Sequence, residues 1–212
     1  MNTVAFTGHR PKDLAGYVPN NYLKFNQQFD NVLYELYKCG VRRFISGGAQ
    51  GFDQLAFWRV DCFKMTHKDI ENIVYVPFKG QEDRWLKDGF FSQAEYHNML
   101  RDADKVVYLS EEKPEGYGNI AKALMQRNER MVDDADIVVA LYEDDSWTTA
   151  KGGTAEAMRY AHECGKLIYQ LPYIKGGWYH LELKERVLID GVDKTNAQDK
   201  PSKKEKNTYE KE

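Results

Sequence analysis

The chain predicts a doubly wound α/β fold, a mainly parallel sheet with helices on both faces. Three observations lead there. Short β-branched and aromatic runs recur six times, each followed by a loop holding Gly or Pro and then by a longer segment of helical periodicity. The runs are apolar enough to suit strands covered on both sides. The 212 residues, 42% hydrophobic and 30% charged, are enough for one domain with a sizeable core.

In chain order, the first strand is expected at 3–7 (TVAFT) and the first helix at 21–39. There Leu23, Phe25, Phe29, Leu33, Leu36 and Tyr37 fall at broadly helical spacing, and Gly40 follows as a favourable residue just past a helix end. Strands at 41–46 (VRRFIS), 72–76 (NIVYV), 105–109 (KVVYL), 136–142 (DIVVALY) and 166–171 (KLIYQL) alternate with helices at 52–65, 91–100, 119–132 and 153–164. Short loops between alternating elements imply parallel pairing through right-handed crossovers. Residues 1–191 read as a single domain. From Val192 onward apolar side chains almost vanish and Lys mixes with Glu, so 192–212 is expected to be a disordered or weakly helical charged tail.

Composition excludes several function classes. Thirty Lys+Arg against 33 Asp+Glu leave a net charge of -3, so no overall field draws a nucleic acid or an anionic membrane, and any anion site must be built locally. No apolar run approaches about 18 residues, so a membrane span is not expected. Cys39, Cys62 and Cys164 are too few and scattered for a disulfide framework, which points to a reducing, cytoplasmic setting. Asp133, Asp134, Asp136, Asp144 and Asp145 lack calcium-loop spacing, and no metal site is expected.

In an open parallel sheet, ligands bind beyond the carboxyl ends of the strands where strand order reverses. The loops at that end carry Gly8, His9 and Arg10; Ser46, Gly47, Gly48, Ala49 and Gly51; and Lys151, Gly152, Gly153 and Thr154. In SGGAQGFD a strand enters and a helix leaves, so backbone amides at a helix N-terminus can hold phosphate or carboxylate. A tight turn capped by Ser46 is the structural alternative. Asp53, in the first turn of that helix, suits a ribose hydroxyl or stabilises the helix end. KGGTAEAM repeats the arrangement, and Glu156 either acts on a glycosidic bond or favours the helix start. Arg10 offers a planar cation to phosphate, or a surface ion pair; His9 offers catalysis, or a structural hydrogen bond. Trp85 and Trp147 either stack a base or pack as core or lid.

Taken together, TGHRP, SGGAQGFDQLA, VPFKGQEDRW, QRNERMVDDADIVVALY and GGTAEAMRYA resemble, in order and over residues 1–172, the YpsA-like branch of the SLOG superfamily. The resemblance implies a Rossmann-like sheet that binds nucleotide-derived ligands, nucleoside monophosphates or ADP-ribose and NAD-like molecules, as a sensor, sequestering protein or regulator. SGGAQGFDQLA is also similar to the motif of DprA, a single-stranded DNA-binding mediator. Arg127 and Met131 match the Arg-to-Met spacing of the LOG phosphoribohydrolases, which release the base from a nucleoside monophosphate. With that likeness Arg127 and Glu156 become the catalytic candidates, Glu156 standing one residue ahead of the glutamate position in the LOG pattern. No cofactor is required by any motif; a nucleotide-like ligand is expected in its place. A homodimer is a further expectation, with Trp178 and Tyr179 as contact candidates.

Overall fold

A computed structural model describes residues 2–172 and three two-residue strands, Lys184–Glu185, Leu188–Ile189 and Val192–Asp193. Six parallel strands form the sheet: β1 (Asn2–Gly8), β2 (Val41–Ser46), β3 (Glu71–Val76), β4 (Lys105–Tyr108), β5 (Ile137–Tyr142) and β6 (Leu167–Pro172). Their spatial order is β4-β3-β2-β1-β5-β6, and Lys184–Glu185 adds a short antiparallel strand, β7, beside β6. Strand order therefore reverses between β1 and β5. Along this seam Ala5 lies opposite Ile45 of β2 and Val138 of β5.

The helices are α1 (Leu23–Lys38), α2 (Phe52–Lys64), α3 (Gln93–Asp102), α4 (Tyr117–Asp133) and α5 (Gly153–Glu163). Alternation along the strands divides the core between the two sheet faces. Val4, Phe6, Val139 and Leu141 pack with Phe25, Phe29 and Leu33 of α1 and Phe52, Leu55 and Ala56 of α2. On the other face Val138 and Ala140 meet Val132 of α4 and Met158 of α5, while Ala5, Ile45 and Ile73 meet Met131. Rings of Phe6, Phe25, Phe29 and Phe52 lie 5.1–6.1 Å apart in stacked and edge-on contacts, and this cluster fixes the start of α2 against β1.

Helix starts differ from the expected positions for local reasons. Proline-led one-turn helices at Pro11–Asp13 and Pro19–Tyr22 fill the first connection, so α1 begins at Leu23. Ser92 accepts a hydrogen bond from the Glu95 amide at 3.2 Å and so caps α3, leaving Phe91 outside the helix with φ 59°. Gly116 turns at φ 81° and lets α4 start two residues before Asn119. Among the described residues no helix is long and apolar enough to cross a membrane. Trp178, Tyr179 and the charged tail from residue 194 onward lie outside the described residues; Val192–Asp193, assigned to the tail from sequence, pairs with Leu188–Ile189.

Candidate ligand cleft

At the β1/β5 reversal the carboxyl ends of the strands open into a cleft of about 1000 Å³. The end of β1 contributes Gly8, His9 and Arg10, the β2–α2 turn Ala49 and Asp53, and the start of α5 Lys151 through Glu156. Helix α4 supplies a further wall that includes Tyr117, Leu124, Met125, Arg127 and Asn128. This position follows from topology: connections leave β1 and β5 toward opposite sides, and the space between them stays open.

The β2–α2 turn is filled from within. The Asp53 carboxylate accepts hydrogen bonds from the amides of Ala49, at 3.4 Å, and Gly47. It also pairs with the Arg127 guanidinium, Nη1 to Oδ2 3.4 Å, with the side chains only 10% and 3% exposed. Arg127 crosses so close to the turn that a Cβ on residue 47 would stand 1.3 Å from its Nη1, so any larger residue there must displace the guanidinium. Gly51 takes φ 97° and a Cβ there would meet the His9 carbonyl at 2.4 Å. Burial pushes the Asp53 carboxyl up from its ordinary range against the pull of Arg127, Arg10 and the two amides. It pushes the Arg127 guanidinium down, with Asp53 opposing. The Arg127 Nε atom is buried without a hydrogen-bond partner among the described residues.

The second glycine turn is arranged differently. Helix α5 starts at Gly153 with no side-chain cap on its first turn, and this turn lines the cleft; the Glu156 carboxylate reaches back toward the Gly152 amide at 3.5 Å. Thr154 donates its hydroxyl to the Gly8 carbonyl at 2.9 Å and so ties the start of α5 to the end of β1. Asn128 donates to the Gly153 carbonyl at 3.3 Å, which holds α4 beside the same turn. His9 pairs through Nε2 with the Glu143 carboxylate, and its ring stacks on Tyr142 with centroids 4.9 Å apart.

Every cleft residue falls between Thr7 and Glu156. The sequence model described as the YspA SLOG family matches residues 4–175 and so spans the whole cleft. The chain belongs to this SLOG family. It is 37% identical over 149 residues to the "Uncharacterized SPbeta prophage-derived protein YoqJ" of Bacillus subtilis, covering 66% of this chain and 81% of that protein. It is 29% identical to a UPF0398 protein of Halalkalibacterium halodurans (68% of this chain, 74% of the relative) and 23% identical to one from Bacillus cereus (68% and 76%). Of the motifs read from the sequence, TGHRP, SGGAQGFDQLA, QRNERMVDDADIVVALY and GGTAEAMRYA contribute residues to the cleft, and VPFKGQEDRW does not.

Within this SLOG domain the expected site residues separate into two groups. Gly8, His9, Arg10, Ala49, Asp53, Arg127, Gly152, Gly153, Thr154 and Glu156 line the cleft. Ser46, Gly47, Gly48 and Gly51 are buried and do not line it. The Asp53 carboxylate takes the amides of Gly47 and Ala49, two of those that the SGGAQGFD turn was expected to offer a phosphate. Met131, the partner of Arg127 in the sequence motif, is a core residue. Trp147 is 2% exposed and packs among Val132, Tyr142 and Met158, while Trp85 rests edge-on against Tyr96 at 5.2 Å. Asp136 and Asp134 are structural, accepting from the Thr3 amide and from the hydroxyl of Tyr75.

Sequence reasoning passed over Tyr117, Lys12, Asn128 and Glu143. The Gly-Tyr-Gly run at 116–118 was the available signal for Tyr117, since flanking glycines leave an aromatic exposed. Four permanent cations line the cleft (Arg10, Lys12, Lys151 and Arg127) against five carboxylates (Asp13, Asp53, Glu143, Asp144 and Glu156). That balance suits a compact ligand carrying both an anion and hydroxyl groups better than a continuous polyanion.

Proposed function

We propose that the cleft binds a nucleotide-derived phosphate ester, a nucleoside monophosphate or an ADP-ribose-like molecule, and that the protein acts as a sensor, sequestering protein or regulator of that ligand. One observation carries the reading: the uncapped first turn of α5 opens into the same cleft as Arg10 and Lys151. Helix-end amides with two cations are a phosphate site of ordinary chemistry. Glu143 and Glu156 supply acceptors for ribose hydroxyls, and Glu156 yields the Gly152 amide to an entering phosphate.

Thermal unfolding with AMP, ADP-ribose and NAD tests this reading. At a hundredfold excess over Kd a bound ligand stabilises by about 2.7 kcal/mol, a rise of roughly 5–10 °C for a domain of this size. Lys151→Ala and Arg10→Ala are expected to diminish the rise. No response to any of the three ligands overturns the proposal.

Hydrolysis of the N-glycosidic bond is a second reading, favoured by Arg127 and Glu156 lining one cleft. Arg127 is engaged with Asp53, which leaves Glu156 as the group to assist water. Release of free base from AMP, abolished in Glu156→Gln, supports turnover; undiminished release in that variant removes Glu156 from the mechanism.

A further inference from the structure

We propose that the first half of α4 is a stacking wall for a heterocyclic base, so that the cleft selects a nucleotide over a sugar phosphate. The inference rests on the anion reading above and extends it to the part of the ligand remote from the phosphate. Tyr117, Ala121, Leu124 and Met125 all line the cleft. At 100° per residue they fall within an arc of about 100° on one helix face.

Core packing uses this face only in the second half of the helix, through Met131 and Val132. The buried residues of α4 are Arg127, Met131 and Val132, all in its second half, whereas Leu124 and Met125 are half-buried and Tyr117 is 82% exposed. An apolar helix face that looks into a cleft rather than the core calls for a flat apolar occupant. Charge says which one. Asn128 holds α4 to the Gly153 carbonyl, so the apolar face begins about one helical turn from the uncapped end of α5, and Tyr117 stands about 16 Å along the axis at 1.5 Å per residue. A phosphate at α5, beside Lys151 and Arg10, therefore projects the rest of its ester along Met125, Leu124 and Ala121 toward Tyr117. The cations and first-turn amides at α5 suit the phosphate, and the apolar wall of α4 suits the planar base.

The experiment is calorimetry on the full chain with AMP, ribose 5-phosphate and inorganic phosphate, for wild type, Tyr117→Ala and Tyr117→Phe. Base stacking makes AMP bind roughly ten- to a hundredfold more tightly than ribose 5-phosphate. Tyr117→Ala loses most of that advantage while ribose 5-phosphate and phosphate bind as before, and Tyr117→Phe keeps it. Equal affinities for AMP and ribose 5-phosphate, or a Tyr117→Ala loss shared by all three probes, overturn the wall and leave the anion site standing. Binding of none of the three removes the anion site and the wall together. Sedimentation of the same proteins covers the other occupant: a dimer that becomes monomeric in Tyr117→Ala with AMP binding unchanged assigns the face to a second copy of the chain and overturns the proposal.

Discussion

Replacing Asp53 with Asn strips the counter-charge from Arg127 while keeping size and an acceptor for the Ala49 amide. The Arg127 side chain is only 3% exposed, and Arg10 adds a like charge nearby, so the guanidinium is left without compensation in a site that water barely reaches. Removing one partner of a buried ion pair costs about 3–5 kcal/mol. The 3.4 Å separation is longer than the roughly 2.8 Å of a strong charge-assisted hydrogen bond, which puts the expected loss near the lower end, about 3 kcal/mol. For a domain of this size that lowers Tm by roughly 6–12 °C. Arg127→Met leaves the opposite charge buried. A carboxyl whose folded pKa is raised holds its proton more tightly when native, so its stabilising effect is complete at low pH and is lost as pH rises through the folded value. The Arg127→Met deficit is accordingly largest at neutral pH and shrinks at mildly acidic pH, as the carboxyl takes up its proton. The double variant Asp53→Asn, Arg127→Met recovers more than half of the summed single losses. Urea unfolding of the four proteins at both pH values measures this; single losses under about 1 kcal/mol, or strictly additive ones, would show that the pair does not hold the turn.

Gly47→Ala drives a Cβ into the path of Arg127, so a loss of at least about 2 kcal/mol in urea unfolding is expected, and Asp53→Asn adds little to it because the pair is already displaced. A Gly47→Ala protein as stable as wild type refutes the close crossing. Tyr75 donates to the Asp134 carboxylate at 2.5 Å, and burial together with that carboxylate pushes its hydroxyl from 10.0 up to about 12. The raised value stabilises the fold below pH 10 and the contribution disappears as pH climbs to about 12. Unfolding followed across that window should show a fall in stability that is shallower in Tyr75→Phe; identical slopes for the two proteins reject the assignment.

The cleft's address was legible in the sequence and its occupancy was not. Strands such as DIVVALY and the glycine turns after them declare a parallel sheet and the end at which the cleft opens, because strand burial and turn geometry are local properties of the chain. Nothing local distinguishes SGGAQG from KGGT as an anion site. The first is closed because Arg127, 74 residues beyond Asp53 in sequence, threads beneath it and fixes the Asp53 carboxylate on the turn's own amides. The second stays open because Thr154 turns its hydroxyl to Gly8 and Asn128 bonds a carbonyl, neither of which uses the first-turn amides. Trp147 and Tyr117 make the same point. Both are aromatics near helix starts, yet packing of α5 over β5 and β6 buries the first, whereas α4 extends beyond the core contacts of its second half and exposes the second. The sequence by itself determined the order of elements, the parallel sheet and the end of it that carries the cleft, since these depend on periodicity and turn residues. Which amides, cations and rings face that space was decided only by tertiary structure, because those choices rest on contacts between residues far apart along the chain.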